Sequence, residues 1–288
     1  MQTYSKEKHK LGFYQVCPIP SKEELEHYYK DTYYQERAEI YSTEELQFIN
    51  NRAIIAEKIW MDFSDKKNGK LFDIGCGKGF FASHFLKKGW QATACDFSSF
   101  GVETYNKELL SSFKRGDIFE VLDEKVANNE KYDFINCENV LEHVSDPISA
   151  LNRIKKIMHK NSLFKIDVPN DFSKFQELLL KNNFIDKETW FCAPDHINYF
   201  TFETLENLLI SLGFKIVKKQ ANFPIESYLV NEHSNYYKNR DIGKQAHLSR
   251  VTIDNFLVEQ GVDKYIDYMQ SAAEIGFSRT VIMYAALK

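Results

Sequence analysis

Three glycines alternate with other residues in Asp73-Ile-Gly75-Cys76-Gly77-Lys-Gly79, with an acid two residues ahead of the first. Glycine lets the backbone turn tightly and approach a ligand closely, and a helix beginning after Gly79 offers its free N–H groups there. A phosphate-binding P-loop needs GxxxxGK(S/T), but Lys78 is followed by Gly79, so that chemistry is ruled out. The dinucleotide fingerprint GxGxxG is one residue out of register, because position 80 is Phe. Farther on, Asp96 closes an apolar run at a spacing where a carboxylate can accept from both hydroxyls of a ribose. Two histidines, His143 in LEHV and His196 in DHINYF, are candidates for a general base, since imidazole titrates near neutral pH. His233 and His247 are alternatives, while His9, His27, His84 and His159 fall on segments that packing or surface positions explain.

These residues must be positioned by elements. Capping boxes at Ser21/Glu24 and Ser42/Glu45 open two helices, to about residues 30 and 61. Strands are expected over 70–74, 91–95, 114–118, 132–137 and 163–168, with helices over 80–88, from Ser98 to about 110, and over 147–159. Thr201 caps a helix that Gly213 ends, and a strand follows over 214–219. About fifty residues then intervene, with helices near 247–259 and 262–274, before a last strand over 279–287. Alternating strands and helices give an α/β, doubly wound, mostly parallel sheet. Residues 1–62 read as an N-terminal helical segment over the cofactor site, and 63–222 with 277–288 as the core. Residues 223–276 read as a helical cap, because long insertions in compact domains are usually functional.

DIGCGKG resembles the first motif of class I S-adenosylmethionine-dependent methyltransferases, letter for letter. YDFINCENVLEHVSDP, at 132–147, resembles the fourth-strand motif of the ubiquinone-type and sugar-type enzymes in that family, and 194–214 resembles a recurrent stretch of the same group. The resemblance implies a Rossmann-like seven-stranded sheet ordered 3-2-1-4-5-7-6 with its last strand antiparallel, S-adenosylmethionine as cofactor and S-adenosylhomocysteine as product. It implies that Asp73, Gly75, Cys76, Gly77 and Gly79 form the cofactor loop, with Asp96 and Phe97 at the ribose. Asp117 would meet the adenine amino group, Ile118 would stack on the ring, and Cys137 and Glu138 would face the methionine end. Tyr33 and Tyr34 can close over the sulfonium, whose charge favours aromatic faces, and Arg52 can reach the cofactor carboxylate. Core packing and surface placement explain these three equally well.

The second informative stretch is 231–250, where Lys238, Arg240, Lys244 and Arg250 outnumber Glu232 and Asp241 beside His233 and His247. It is either a solvated loop or a pocket for an anionic acceptor such as a sugar nucleotide or phosphorylated metabolite. Tyr199 and Tyr236 join His233, Lys244, His247 and Arg250 as candidate substrate contacts. The formal net charge of −4 argues against nucleic acid as partner. The polar start and the lack of a long apolar run point to a cytoplasmic protein with no membrane insertion. Five scattered cysteines without a CxxC pair read as reduced thiols. No metal is expected, since Asp167, Asn170 and Asp171 form only a weak ligand set. The acceptor is thus expected to be a small molecule, most simply O-methylated. A quinone- or lipid-like acceptor, a nicotinamide-dependent oxidoreductase and a non-catalytic binding protein are the rivals. Oligomeric state is not encoded in any motif.

Overall fold

Apolar residues run without alternation through the centre of the sequence, which suits strands covered on both faces. In the computed structural model, which describes residues 3–28 and 38–288, these runs form the middle of a seven-stranded sheet. Along the chain, β1 (Ser5–Lys8) and β2 (Tyr14–Cys17) come first. The large sheet contains β3 (Lys70–Ile74), β4 (Gln91–Asp96), β5 (Phe113–Arg115), β6 (Tyr132–Glu138) and β7 (Met158–Pro169). After β8 (Asn198–Tyr199), it is completed by β9 (Phe214–Gln220) and β10 (Thr280–Leu287). Its order is β5-β4-β3-β6-β7-β10-β9, the expected 3-2-1-4-5-7-6, and β10 is antiparallel to both neighbours.

Helices cover both faces. The longest, α2 (Thr43–Phe63), follows α1 (Lys22–Tyr28) and starts at the capping box read from the sequence. Ser42 Oγ accepts from the Glu45 N–H at 3.2 Å, and the Glu45 carboxylate accepts from the Ser42 N–H at 2.8 Å. Its Phe48, Ile55 and Ile59 are buried as their spacing requires, and Trp60 is fully buried. Trp60 lies with its ring centroid 5.1 Å from Trp90 and 5.8 Å from Phe134, while Phe85 of α3 (Phe80–Lys87) sits 5.0 Å from Trp90. Removing each Phe-sized side chain from water contributes on the order of 2–3 kcal/mol, so this cluster fastens α2 and α3 to the sheet. The remaining helices are α4 (Phe100–Tyr105), α5 (Ile118–Ala127), α6 (Pro147–Lys156), α7 (Lys174–Lys181) and α8 (Phe202–Ser211). Between β9 and β10 stand three short 3-10 turns, then α9 (Gly243–Glu259) and α10 (Val262–Glu274). Helix α9 packs along α2, where Asn51 Nδ2 donates to Asn255 Oδ1 at 3.0 Å and Asn255 Nδ2 donates to the Glu44 carbonyl at 2.9 Å. The inserted helices are therefore anchored to the core by buried amides. Among the described residues, no helix is long and apolar enough to cross a membrane.

Several expectations need correction. The first 62 residues are not wholly helical, because β1 and β2 form a hairpin whose second strand pairs with β8 in a separate three-stranded sheet. SKEK has no apolar alternation to announce a strand, and the further partner of β2, at Asn198–Tyr199, lies far along the chain. The third strand of the large sheet ends at Arg115, and Asp117 and Ile118 instead begin α5, a helix absent from the sequence reading. Helix α4 stops at Tyr105, and the chain continues as a 3-10 turn to Ser112. Helix α6 ends at Lys156, so Met158 opens β7 rather than closing the helix.

Candidate active site

The carboxyl ends of β3, β4, β5 and β6 open on one cleft of about 1140 Å³. Its floor is the β3–α3 loop. Gly75 has φ 65° and Gly79 φ 75°, both in the left-handed region. A Cβ on Gly75 would lie 2.3 Å from Val140 Cγ2, and one on Gly79 would lie 2.8 Å from Leu109 Cδ1. Nothing stands within 4 Å of the equivalent point on Gly77. The loop is thus pressed against the protein at two glycines and open at the third. That is the shape of a backbone cradle for a ligand.

Three acids surround the cradle. Asp73 is 1% exposed and accepts from Asn136 Nδ2 at 2.7 Å. Burial pushes its carboxyl up to about 7, against the pull of that hydrogen bond. Asp96 accepts from the Gly77 N–H at 2.9 Å through Oδ2 and from the Ser98 N–H at 3.1 Å through Oδ1. It ties the loop to the end of β4. Asp117 is the N-cap of α5, accepting from the Phe119 and Glu120 N–H groups at 2.8 and 3.3 Å through Oδ1. Phe97 and Ile118 also line the cleft, as do Cys76 and Arg52. Cys137 does not; it is buried in β6, where burial raises its thiol pKa. Tyr33 and Tyr34 lie outside the described residues.

Behind the cradle runs a charge ladder in which Glu138 joins Arg52 to Lys165, a lysine that no sequence motif singled out. Arg52 donates to Glu138 Oε1 at 2.6 Å, and Lys165 donates to Glu138 Oε2 at 2.9 Å and to Asn136 Oδ1 at 3.0 Å. Burial works to raise the Glu138 carboxyl, but Lys165 and Arg52 prevail and hold it below the usual range. Asp167 is raised instead, by burial and by the Glu138 charge. Lys165 and Asp167 are two residues apart on β7, so strand alternation placed both on the same face. That signal was available.

The two candidate bases meet. Their rings are 5.0 Å apart, edge to face. His143 lines the cleft, with Nδ1 2.8 Å from the Asp195 carbonyl; a carbonyl only accepts, so Nδ1 carries a proton. Burial works to lower the His143 pKa, but Asp195 and Glu142 outweigh it and raise it. His196 stands behind His143, and its Nδ1 is 3.7 Å from Asp171 Oδ2. Glu142 is 1% exposed, and among the described residues neither of its carboxylate oxygens has a hydrogen-bond partner. Glu142, His143 and His196 each bring one ligand-type atom within 4.8 Å of the others, a geometry able to hold a cation.

The expected substrate contacts divide. Tyr199 is 2% exposed in β8, where its hydroxyl donates to the His196 carbonyl at 2.8 Å and accepts from the Cys192 N–H at 3.1 Å. It holds His196 in place and does not face the cleft. His233 and Lys244 are exposed, on a 3-10 turn and at the start of α9. Tyr236 packs beside a small core around Leu179, Trp190 and Leu229. Arg250 and His247 come together, with a guanidinium nitrogen 3.0 Å from His247 Nδ1. Arg279, absent from the sequence reading, donates to Glu226 at 3.0 Å and to Asp171 at 3.3 Å. An antiparallel final strand begins at the sheet edge where the parallel strands end, and that should have singled out its leading residue.

A family model described as a methyltransferase domain matches residues 48–219. The chain is 29% identical over 122 residues to the ubiquinone biosynthesis O-methyltransferase of Pasteurella multocida (strain Pm70), covering 38% of this chain and 50% of that protein. It is 31% identical over 94 residues to the protein of the same description from Yersinia pestis (strain Pestoides F), covering 31% and 38%. The chain thus spans half or less of the length of these relatives. Among solved structures, a SAM-dependent methyltransferase from Archaeoglobus fulgidus aligns with a TM-score of 0.50 at 17% identity, over 82% of this chain and 94% of that one. Magnesium protoporphyrin IX methyltransferase from Synechocystis, solved with bound SAH, aligns with a TM-score of 0.52 at 12% identity, over 93% and 100%. At such identities the likeness is one of fold.

Proposed function

Because the chain belongs to the class I, S-adenosylmethionine-dependent methyltransferase-domain family, we propose that it methylates a hydroxyl of a small, polar, anionic acceptor such as a sugar, sugar nucleotide or phosphorylated metabolite. The observation that carries the reading is His143 in the wall of the cleft, its Nδ1 pinned by the Asp195 carbonyl. In the neutral ring that bond leaves Nε2 as the basic nitrogen, able to take the acceptor's hydroxyl proton.

S-adenosylmethionine, when bound, supplies a methyl group already activated on a sulfonium. The residues present fit it, since the Gly75 cradle excludes a Cβ and Gly77 stands open beside it. Asp96 would hold the ribose hydroxyls, its oxygens able to accept more than the backbone N–H groups they already bind. Asp117, whose Oδ1 caps α5, would accept from the adenine amino group through Oδ2, and Ile118 and Phe97 would pack on the ring. Arg52, beside Glu138, would meet the amino-acid end. His196 supports His143 by edge-to-face contact. A cytoplasmic location without nucleic acid as partner goes with this reading, supported by the net charge of −4.

A quinone-like acceptor is the second reading, favoured by the relatives named for ubiquinone biosynthesis and by Phe80, Phe81 and Phe119 in the cleft wall. The test is calorimetry followed by turnover. S-adenosylhomocysteine should bind saturably and NAD should not, and methyl transfer should appear with sugar phosphates or sugar nucleotides. Transfer to hydroxylated quinones alone would replace the first reading with the second.

A further inference from the structure

Arg250, on α9, is half-buried, with its Nε enclosed. Its plane lies 5.1 Å over the Phe48 ring, and Arg52 lies 5.2 Å from the same ring. Among the described residues, one hydrogen bond, to His247 Nδ1, engages it, and its Nε is buried without a partner. Among the described residues it forms no ion pair, although most buried guanidiniums sit against a carboxylate. Arg52 is committed to Glu138, and Arg279 to Asp171 and Glu226. After burial itself, the strongest influence on Arg250 is the like charge of Arg52, and Arg279 acts in the same sense. Asp254 and Glu226 oppose them, and the Asp254 carboxylate also accepts from the Tyr265 hydroxyl at 2.9 Å. Arg250 is thus left with donors that no described group engages, set between the Arg52 and Arg279 guanidiniums and the Asp254 and Glu226 carboxylates.

A guanidinium is planar, always charged and suited to two parallel hydrogen bonds with a carboxylate or phosphate. We propose that Arg250 is the docking residue for an anionic group on the methyl acceptor, a carboxylate or phosphate monoester, with Arg279 fixed nearby as a second positive centre. The proposal rests on the methyl-transfer reading above and adds to it a seat for the charge and a scale for the acceptor. Arg279 leads into β10 and His143 follows β6, with β7 between them. Two strand spacings separate those ends, about 10 Å. The contacts agree with this, since Arg279 meets Asp171, Asp171 faces His196, and His196 packs on His143. An acceptor that places its hydroxyl at His143 and its anionic group toward Arg279 and Arg250 must reach across the end of β7.

The experiment reads anion binding without turnover. Inorganic phosphate and acetate are titrated by calorimetry into wild-type protein, R250Q and R250K, each saturated with S-adenosylhomocysteine. Saturable binding of one or both anions by wild type is expected, at least tenfold weaker in R250Q and partly retained in R250K, with S-adenosylhomocysteine affinity unchanged throughout. Which anion binds distinguishes a phosphate from a carboxylate acceptor. Should R250Q fail to fold by circular dichroism, R250K carries the comparison, with a threefold or greater loss for acetate expected because the fork is gone. Binding of neither anion by wild type, or equal binding by every folded variant, overturns the proposal. If turnover on sugar phosphates persists in that case, only the subsite is wrong and the methyl-transfer reading stands.

Discussion

At the scale of single residues, Gly75 is the least replaceable. Gly75→Ala must place a Cβ 2.3 Å from Val140 Cγ2 at a φ of 65°. The left-handed conformation alone costs roughly 1–2 kcal/mol, and the collision adds to it. We expect at least a tenfold loss of S-adenosylhomocysteine affinity by calorimetry, partly restored by adding Val140→Ala; full retention of affinity in the single variant would remove the cradle from the binding site. His143→Gln should lower kcat by about 10²–10⁴ while leaving cofactor affinity unchanged, as removal of a general base does. In the wild type, Asp195 and Glu142 raise the His143 pKa, so the ring stays protonated to higher pH than a free imidazole. A base must be neutral to act. The rate should therefore rise with pH through an inflection above 6.5, and a flat profile from pH 6 to 8 would argue against His143. The glycine loop and its acids were legible because loop chemistry depends on a few residues at fixed spacing. Arg279 was not, and Asp171 counted only as a weak metal ligand, since the two meet only when distant segments converge.

At the scale of elements, long and strongly patterned pieces were readable and marginal ones were not. The capping box of α2 and helix α10 stand where the sequence put them, while α9 begins four residues earlier than expected, at Gly243. Helix α5 was overlooked although Ile118, Val121 and Leu122 are buried at helical spacing, because Asp117 was assigned to a strand end rather than to an N-cap. The β1–β2 hairpin had no local signal strong enough to reveal it, since its partner β8 is two residues long and far away in sequence. The aromatic cluster fastens α2 behind the site, so Trp60→Ala should destabilise the protein by about 3–5 kcal/mol in chemical denaturation. A loss below 1 kcal/mol would mean that α2 is held chiefly by its contacts with α9.

At the scale of the whole molecule, the two halves of the site are built differently. The cleft is lined mainly by residues 73–145, with Arg52 added from α2, whereas the acceptor seat proposed above draws on α9 and the start of β10. Prolonged EDTA treatment should leave turnover unchanged if His143 acts as a simple base; loss of turnover recovered on adding a divalent cation would instead make Glu142, His143 and His196 a metal seat.

The segment that supplies Arg250 leaves the sheet from β9 and returns through β10, and these strands are hydrogen-bonded neighbours, with Gln220 opposite Ile282. Its two ends are therefore held side by side whatever lies between them. Lengthening such a closed excursion costs little chain entropy, about 0.6 kcal/mol per doubling. The architecture is modular in that sense: a fixed chassis for the methyl donor, and a replaceable excursion through which a related chain can acquire a different acceptor without re-registering a single strand.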